Sequence, residues 1–330
     1  MTLSTRPFGR TGHTTTAIGF GAWAIGGTWG EVTVEDAKAT LHAALDAGMT
    51  FIDTADVYGD GRSERIIREV LAERPGPRPF VATKAGRRLN PHTAEAYTPA
   101  AIEDFIDRSL LNLGVECLDL VQLHCPPTPV YSNAAMFAGL EAIKAKGKIA
   151  NYGVSVETIA EAMTAIEQPG VVSVQMIYNI FRQRPSEAFF AAARARNVAV
   201  IARVPLASGL LTGKMNARSQ FAADDHRSFN RNGEAFDKGE TFSGVPYDVA
   251  LQAVDALRPL VPQGTTMAAF ALRWILMEQA VTVVIPGAKS PAQAVANAAA
   301  DGLAPLPAET MQAAREIYAD LVAPHVHHLW

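Results

Sequence analysis

Short β-rich stretches alternate with longer helical patterns along almost the whole chain, and this alternation limits the fold more than any other feature. The predicted strands cover residues 17–20, 50–52, 79–83, 118–123, 149–153, 171–175, 198–203 and 281–285. Eight strands that alternate with helices favour parallel pairing, so we expect an α/β fold in which they close into a single (β/α)8 TIM barrel. An open, doubly wound sheet is the alternative.

The helical patterns lie between these strands and continue beyond the last one. They cover residues 33–47, 63–73, 99–113, 134–146, 156–167, 186–196, 247–261 and 265–278, with extra C-terminal helices at 291–300 and 308–321. Thr33, Thr98 and Ser290 are typical N-caps, and a proline follows the last two. Thr11-Gly12 predicts the turn of an N-terminal β-hairpin. No linker divides the chain, so one domain over residues 1–330 is expected.

Composition excludes several classes of protein. The 330 residues are 48% hydrophobic, which is ample for a large core, and the net charge of −4 offers no basic surface for nucleic acid or an anionic membrane. Two cysteines, Cys117 and Cys125, cannot form a disulfide framework. The start of the chain has no apolar segment, and the best apolar stretch, 267–277, is interrupted by Arg273. These features predict a soluble, cytoplasmic protein.

Ionisable side chains end three successive predicted strands. Asp53 ends the second strand, Lys84 the third and His124 the fourth, while Tyr58 lies five residues after Asp53. Each alone has an ordinary structural reading as a cap, a surface lysine or a core histidine. On a barrel, however, the C-terminal strand ends open at one face, where chemistry takes place. We therefore interpret the four residues as one catalytic group.

The four side chains together are suited to proton donation. The Lys84 ammonium would lower the pKa of Tyr58 from its ordinary value of about 10, Asp53 would hold Lys84, and His124 would orient a carbonyl oxygen. Tyr58 would then act as a general acid toward that oxygen. Cys125 is interpreted as packing, because neighbouring strand residues face opposite ways. No side chain supplies hydride, so a cofactor is implied.

At this point the sequence resembles the aldo-keto reductase superfamily, in its bacterial and channel-β-subunit branches. F-I-D-T-A-D-V-Y-G, V-A-T-K-A-G and L-V-Q-L-H-C-P resemble the blocks that carry that family's Asp, Tyr, Lys and His. G-F-G-A-W, I-A-N-Y-G-V-S, V-S-V-Q-M-I-Y-N, P-L-A-S-G-L-L-T-G-K and V-I-P-G-A-K-S-P-A-Q-A-V-A-N extend the match over nearly the whole chain. The resemblance implies a metal-independent oxidoreductase that reduces a small aldehyde or ketone with NADPH, NADH being the alternative.

The resemblance also implies positions for the cofactor and the substrate. Ser155 and Gln175 would contact the nicotinamide carboxamide, Pro205 to Lys214 the pyrophosphate, and the helix capped by Ser290 the adenosine 2′-phosphate. The implied cofactor residues are Gly21, Ala22, Trp23, Asp53, Ser155, Gln175, Arg203, Pro205, Leu206, Ser208, Gly209, Lys214, Pro286, Gly287, Ala288, Lys289, Gln293 and Asn297. The implied substrate residues are Trp23, Trp29, Tyr58 and His124.

The sequence departs from the family pattern at four of these positions. Val156 stands where many members carry Asn, and Arg203 where an aromatic ring often stacks on nicotinamide. Gln293 stands where some branches carry an arginine for the 2′-phosphate, and Ala296 where many carry Glu. Lys289 is the remaining obvious cation, so NADPH is favoured by the resemblance more than by these side chains.

The polar segment 214–246 follows the seventh strand and has no apolar period. A loop of this length favours a mobile lid over the cofactor, with a passive insertion as the alternative. Gly19, Gly21 and Ala24 match G-x-G-x-x-A, but the glycines that follow argue against a helix and so against a dinucleotide-binding sheet. The tail histidines, His325, His327 and His328, are interpreted as a solvated chain end.

Two other functions are consistent with the same residues. Lys84 could form a Schiff base in a barrel aldolase, or the chain could be an NADP(H)-binding sensor with slow turnover. The sequence sets neither the substrate nor the direction of reaction, and both a monomer and a homo-oligomer are consistent with it.

Overall fold

The computed structural model describes residues 2–27 and 32–330. The chain begins with an antiparallel hairpin of β1 (Thr5–Pro7) and β2 (Thr14–Thr16), which turns at Thr11-Gly12 as predicted. Gly12 adopts a φ of +78°, a left-handed conformation that glycine reaches without strain.

Eight further strands in the described ranges form one parallel sheet in chain order. They are β3 (Phe20–Gly21), β4 (Phe51–Asp53), β5 (Phe80–Ala85), β6 (Leu120–His124), β7 (Tyr152–Ser155), β8 (Val171–Ile177), β9 (Ala199–Arg203) and β10 (Val281–Val284). Parallel bridges from Ile18 to Val284 and from Gly21 to Gly287 join the first strand to the last. The sheet is therefore a closed barrel, and the predicted fold class is confirmed.

Helices pack around this barrel, close to the predicted positions. Those in the body of the fold are α1 (Trp23–Gly26), α2 (Val34–Asp46), α3 (Arg62–Ala72), α4 (Pro99–Leu113), α5 (Ala134–Ala145), α6 (Ile159–Ala165), α7 (Phe189–Ala195), α8 (His226–Phe229), α9 (Tyr247–Leu257), α10 (Met267–Leu276) and α11 (Pro291–Ala299). The extra C-terminal helices are α12 (Ala308–Ile317), a π-helix over Tyr318–Val322 and α13 (Ala323–Val326). Thr33, Thr98 and Ser290 accept the expected capping hydrogen bonds.

In the described ranges, the single-turn helices α1, α8 and α13 were not predicted. A single turn, α1, follows G-F-G-A, although its glycines indicated no helix there. The turn buries Ala24, Ile25 and Gly26, so packing overrides the low intrinsic preference of glycine for a helix. Four residues are too few for a dinucleotide-binding helix, and the closed barrel excludes the doubly wound alternative.

Aromatic side chains close the N-terminal end of the barrel. The Phe8 ring follows β1 and lies 5.5 Å from the Phe51 ring and 5.2 Å from the Phe80 ring, centroid to centroid. Phe51 and Phe80 begin β4 and β5, so the hairpin covers the strand starts. In the described part of the chain, the hairpin therefore closes the N-terminal end of the barrel and leaves the C-terminal strand ends for a ligand.

The segment 214–246 is folded against the mouth of the barrel. It contains α8 and two short 3-10 turns, and it buries His226, Asn230, Phe242 and Ser243. Its predicted mobility remains a prediction.

The interpretation of the chain end as solvated was wrong for part of it. His325 and His328 are exposed, but His327 hydrogen-bonds the Tyr318 hydroxyl at 2.9 Å, and Trp330 is only 9% exposed. The aromatic side chain of Trp330 has a large apolar surface to bury, so the tail docks. Within the described ranges, no helix has the length and apolar character needed to cross a membrane.

Candidate functional site

Lys84 is the centre of a buried hydrogen-bond group at the C-terminal strand ends. Its Nζ lies 2.5 Å from Asp53 Oδ1, 2.9 Å from the Thr54 carbonyl oxygen and 3.3 Å from the Tyr58 hydroxyl. Lys84 is 1% exposed and Asp53 is 2% exposed. A buried ammonium needs such partners, so these contacts fix its position and charge.

Two glutamines hold the other oxygen of Asp53. Gln175 donates to Asp53 Oδ2 at 2.7 Å, and Gln122 donates to the same oxygen at 3.3 Å. The strand registers bring these side chains together. Lys84 on β5 pairs with Gln122 on β6, and Ser155 on β7 pairs with Gln175 on β8. Sequence reasoning missed Gln122, although it lies two residues before His124 and so faces the same side of its strand.

The pKa of Tyr58 differs from the prediction. Burial raises it above the ordinary value; Lys84 opposes this, and Asp53 adds to it. The predicted net lowering was therefore wrong, because desolvation of the phenolate outweighs the ammonium. Burial would also lower the pKa of Lys84, but the attraction of Asp53 and Tyr58 prevails and raises it. At neutral pH the pair is a protonated phenol beside an ammonium.

His124 is a neutral imidazole at the same site. Burial, followed by the positive charges of Arg87, Lys84 and Arg203, lowers the pKa of His124 well below its ordinary value. Its ring meets the Tyr58 ring edge-on, with 6.1 Å between centroids. Nδ1 is buried, and no residue in the described ranges accepts from it or donates to it.

Two glycines set the position of Tyr58. A Cβ on Gly26 would lie 2.7 Å from the Tyr58 Cβ, and a Cβ on Gly59 would overlap the Gly26 carbonyl oxygen. Gly59 also has a φ of +60°. The loop after β4 can therefore press Tyr58 against α1 only because both positions lack side chains. The Trp23 ring lies beside Tyr58, 6.0 Å away between centroids.

A cavity of about 1150 Å³ opens above these residues. All the predicted cofactor residues except Ala22 line it, as do Tyr58 and His124. Ala22 is wholly buried, since its backbone bonds Asp53 and Ser63 while its methyl group joins the hydrophobic core. Trp29 lies outside the described residues. Lys84 is buried beneath the cavity surface and contacts the hydroxyl of Tyr58, which lines the cavity.

Charged residues form a second group on the wall, which sequence reasoning largely missed. Arg203 Nη1 lies 2.5 Å from Glu240 Oε1, and Arg203 Nη2 donates to the Val156 carbonyl oxygen at 3.0 Å. Arg87 Nη2 donates to Glu157 Oε1 at 3.3 Å. Burial, with a further contribution from Asp237, raises the pKa of Glu157 to about 7 against the opposing charges of Arg87 and Arg203. These residues lie far apart in the sequence, so no sequence motif indicates that they meet.

Cys125 was expected to face away from the site, and this was wrong. It lines the cavity, with Sγ 3.4 Å from Ser155 Oγ and 3.9 Å from Arg203 Nη2. The alternation of faces fails because β6 ends at His124 and Cys125 has a φ of +46°.

The far end of the cavity fits a phosphate-bearing cofactor. The N-terminus of α11, capped by Ser290, faces it together with Lys289, and unpaired helix N–H groups favour an anion. Lys214 and Arg227 line the same cavity. Asn297 Nδ2 bonds the Gly287 carbonyl oxygen at 3.1 Å and so fixes the turn before the helix.

Ser208 links this end of the cavity to the segment 214–246. Its hydroxyl donates to the Glu240 carbonyl oxygen at 3.0 Å and accepts from the Phe242 backbone at 3.1 Å. Gly209 follows with a φ of +98°, so the chain turns tightly here.

Comparisons with known proteins match nearly the whole chain. The model of the aldo/keto reductase family matches residues 17–319. The aldo-keto reductase YhdN of Bacillus subtilis is 31% identical over 291 residues, covering 86% of this chain and 84% of that protein. The aldo-keto reductase yakc [NADP(+)] of Schizosaccharomyces pombe is 29% identical, covering 88% of this chain and 84% of that protein.

Two further comparisons extend the range of relatives. A probable voltage-gated potassium channel subunit beta of Oryza sativa is 28% identical, covering 90% of this chain and 91% of that protein. Among solved structures, the glycerol dehydrogenase AKR11B4 of Gluconobacter oxydans is 30% identical with a TM-score of 0.78. That comparison covers 98% of this chain and 96% of the other.

Proposed function

This chain belongs to the aldo/keto reductase family, and from that premise we propose that it reduces an aldehyde or ketone to an alcohol with NADPH. The observation that carries the proposal is the contact of Lys84 with both Asp53 and Tyr58, beside a neutral His124, at the floor of a large cavity. When bound, NADPH supplies hydride to the carbonyl carbon.

Tyr58 gives the proton in this proposal. Its raised pKa keeps the phenol protonated at neutral pH, so the proton is present when the carbonyl oxygen becomes an alkoxide. Lys84, 3.3 Å from the Tyr58 hydroxyl, stabilises the phenolate that remains. Asp53 holds Lys84, and the neutral His124 ring hydrogen-bonds the substrate oxygen.

The chain's own residues provide a fitting cavity for NADPH. Ser155 and Gln175 line it near Asp53, while the α11 N-terminus and Lys289 line its far end. The name of the Schizosaccharomyces pombe relative includes NADP(+), which supports the phosphorylated cofactor over NADH. The segment 214–246 would act as a lid over the bound cofactor.

The test is the turnover of butanal with NADPH by the wild type and by Tyr58→Phe. We expect Tyr58→Phe to lose about 10²- to 10⁴-fold in kcat while its Kd for NADPH stays unchanged. Tyr247→Phe is the matched control, because the Tyr247 hydroxyl bonds the Asn216 carbonyl oxygen on the exposed segment. Full kcat in Tyr58→Phe would remove Tyr58 from the acid role. Shifts of the melting temperature with NADPH and with NADH measure cofactor preference.

A second candidate is an NADP(H)-binding regulatory subunit, which the similarity to the potassium channel subunit of Oryza sativa favours. It predicts tight NADPH binding with very slow turnover of every carbonyl compound in a panel. A Schiff-base aldolase is less well supported, because Lys84 is held as an ammonium and imine formation needs a neutral amine. Borohydride trapping with substrate would label Lys84 only in that case.

A further inference from the structure

Arg87 has donors that the protein leaves unused. A guanidinium has five N–H groups, yet in the part of the chain that the structure describes only Arg87 Nη2 has an acceptor, Glu157 Oε1 at 3.3 Å. The other nearby carboxylate, Glu240, is 4.0 Å from Arg87 Nη1. The side chain is 23% exposed and lines the cavity. Arg87 therefore presents free donors to a ligand.

Arg203 provides the contrast within the same group of charges. It is 8% exposed at the side chain, where Nη1 forms an ion pair with Glu240 Oε1 at 2.5 Å and Nη2 donates to the Val156 carbonyl oxygen at 3.0 Å. Its Nε is buried and has no hydrogen-bond partner in the described ranges. Both side chains line the cavity, but Arg87, at 23% exposed, is the more accessible of the two to a ligand.

Arg87 also lies near the proposed reaction centre. It follows Lys84 by three residues, in the loop after β5. Arg87, Tyr58 and His124 line the same cavity, and the positive charges of Arg87, Lys84 and Arg203 add to burial in lowering the pKa of His124. The Phe236 ring lies 5.9 Å from the Arg87 guanidinium and limits solvent on one side. An anionic group bound by Arg87 and a carbonyl group held by His124 would therefore occupy the same cavity.

We propose that Arg87 binds a carboxylate of the substrate, so that preferred substrates are short aldehydes with a second, anionic end. The planar fork of a guanidinium matches the two oxygens of a carboxylate, and such charged hydrogen bonds are strong in a partly buried site. This inference rests on the proposed reductase activity and names its substrate class.

Glu157 competes with the ligand for Arg87. Arg87 and Arg203 face Glu157 with positive charge, and Asp237 and Glu240 face it with negative charge. With the pKa of Glu157 at about 7, its carboxyl group is mostly neutral below that pH and mostly ionised above it. An ionised Glu157 both occupies Arg87 and repels an anion. The kcat/KM for an anionic aldehyde should therefore fall as pH rises through about 7.

The experiment compares 4-oxobutanoate with butanal, which has the same chain length and no charge. The wild type should prefer 4-oxobutanoate, and Arg87→Met should lower the ratio of the two kcat/KM values about 10- to 100-fold. Arg88→Met is the matched control, because the Arg88 guanidinium bonds Asp60 at the surface, and its ratio should equal that of the wild type. Equal ratios in wild type and Arg87→Met would overturn the inference.

Two further measurements complete the test. Glu157→Gln should remove the fall, as pH rises through about 7, of the kcat/KM for 4-oxobutanoate relative to that for butanal. With NADP⁺ present, 4-hydroxybutanoate should raise the melting temperature of the wild type more than butan-1-ol does, and Arg87→Met should lose the difference. This last readout needs no turnover. If the wild type turns over neither aldehyde but shows the Arg87-dependent shift of the melting temperature, only the proposed function is rejected. If it turns over aldehydes but the shift is the same in wild type and Arg87→Met, only the carboxylate site is rejected.

Discussion

The floor and the cover of the cavity are built in different ways. The floor comprises Asp53 and His124, which line the cavity, with Lys84 and Gln122 beneath them; all four lie on β4, β5 and β6, where strand register sets their positions. The cover consists of residues 237–244 and Trp330, which only meet through contacts between distant parts of the chain. The floor therefore follows from the barrel, whereas the cover depends on the docking of a tail.

Trp330 contacts the rest of the cover at Asp237 and Gly244, and it also contacts Arg182 outside the cover. Its Nε1 donates to Asp237 Oδ2 at 3.1 Å, the Arg182 guanidinium lies 3.7 Å from its ring centroid, and a Cβ on Gly244 would overlap its ring. Asp237 begins the turn that presents Glu240 to Arg203. A change in the tail should thus reach the cavity wall without altering the floor.

The largest effect is expected at the floor, from Lys84→Met. The change leaves Asp53 as a buried charge without its cation, which costs about 3–5 kcal/mol of unfolding free energy. It also removes the group that stabilises the Tyr58 phenolate, so kcat should fall about 10³-fold. Urea unfolding and steady-state kinetics measure the two effects. Lys148→Met, at a surface ion pair with Asp107, should change neither noticeably; equal losses in both variants would contradict this account.

The next effect tests how closely the floor depends on backbone shape. Gly59→Ala should displace Tyr58, because the added Cβ would overlap the Gly26 carbonyl oxygen, and a misplacement of about 1 Å can cost about 100-fold in kcat. Gly12→Ala is its partner: φ is also positive there, but nothing lies within 4 Å of the new Cβ. Gly12→Ala should therefore lose stability without losing activity. A fully active Gly59→Ala would show that Tyr58 tolerates movement.

A smaller effect on activity is expected from the cover. Trp330→Ala should cost about 3 kcal/mol of unfolding free energy, because a large buried ring leaves a cavity. It should also make residues 214–246 easier to cleave with protease. The KM for the carbonyl substrate should rise about 10-fold, a loss typical of displaced binding contacts, with kcat little changed. Leu329→Ala, at an exposed neighbouring position, is the control. A fall in kcat with an unchanged KM would mean that the cover acts on the floor after all.

The smallest effect concerns stability against pH. Burial, with repulsion from Glu64, raises the pKa of Asp56 to about 7, well above its ordinary value, while Arg88 and Arg108 oppose the shift. Asp56 stabilises the fold most when protonated, so its contribution is complete at acid pH and is lost as pH rises toward about 7, by about 1 kcal/mol per pH unit. Urea unfolding across this range should show a shallower fall in Asp56→Asn than in the wild type. Asp60→Asn, on the exposed side of the same loop, should retain the wild-type slope.

The residues of the floor could be predicted from the sequence because each is identified by its immediate neighbours in the chain. Asp53, Lys84 and His124 each follow a buried strand, and the parallel barrel then brings strand ends together whatever the loops do. Gln122 was missed although the same periodicity pointed to it. The net pKa of Tyr58 was not predictable, since it depends on how fully the phenol is buried, and that is set by α1 and Gly59.

The contacts of the cover could not be predicted from the sequence. Nothing in the order of residues pairs Arg203 with Glu240, or Trp330 with Asp237. The first pair is joined by a long, mostly irregular segment, and the second is separated by α9 to α13 and β10. Cys125 turned toward the cavity because its backbone leaves the strand with a positive φ, a choice that strand alternation does not contain. The mobility of residues 214–246 and the single-domain organisation remain predictions.

The sequence by itself determined the barrel, its helix caps and the residues at the strand ends, because periodicity and capping are properties of neighbouring residues. Only the tertiary structure decided which charged side chains meet above them, how fully the Tyr58 phenol is buried, and that Trp330 packs against residues 237–244. Those properties arise from desolvation and long-range packing, which depend on where the whole chain goes.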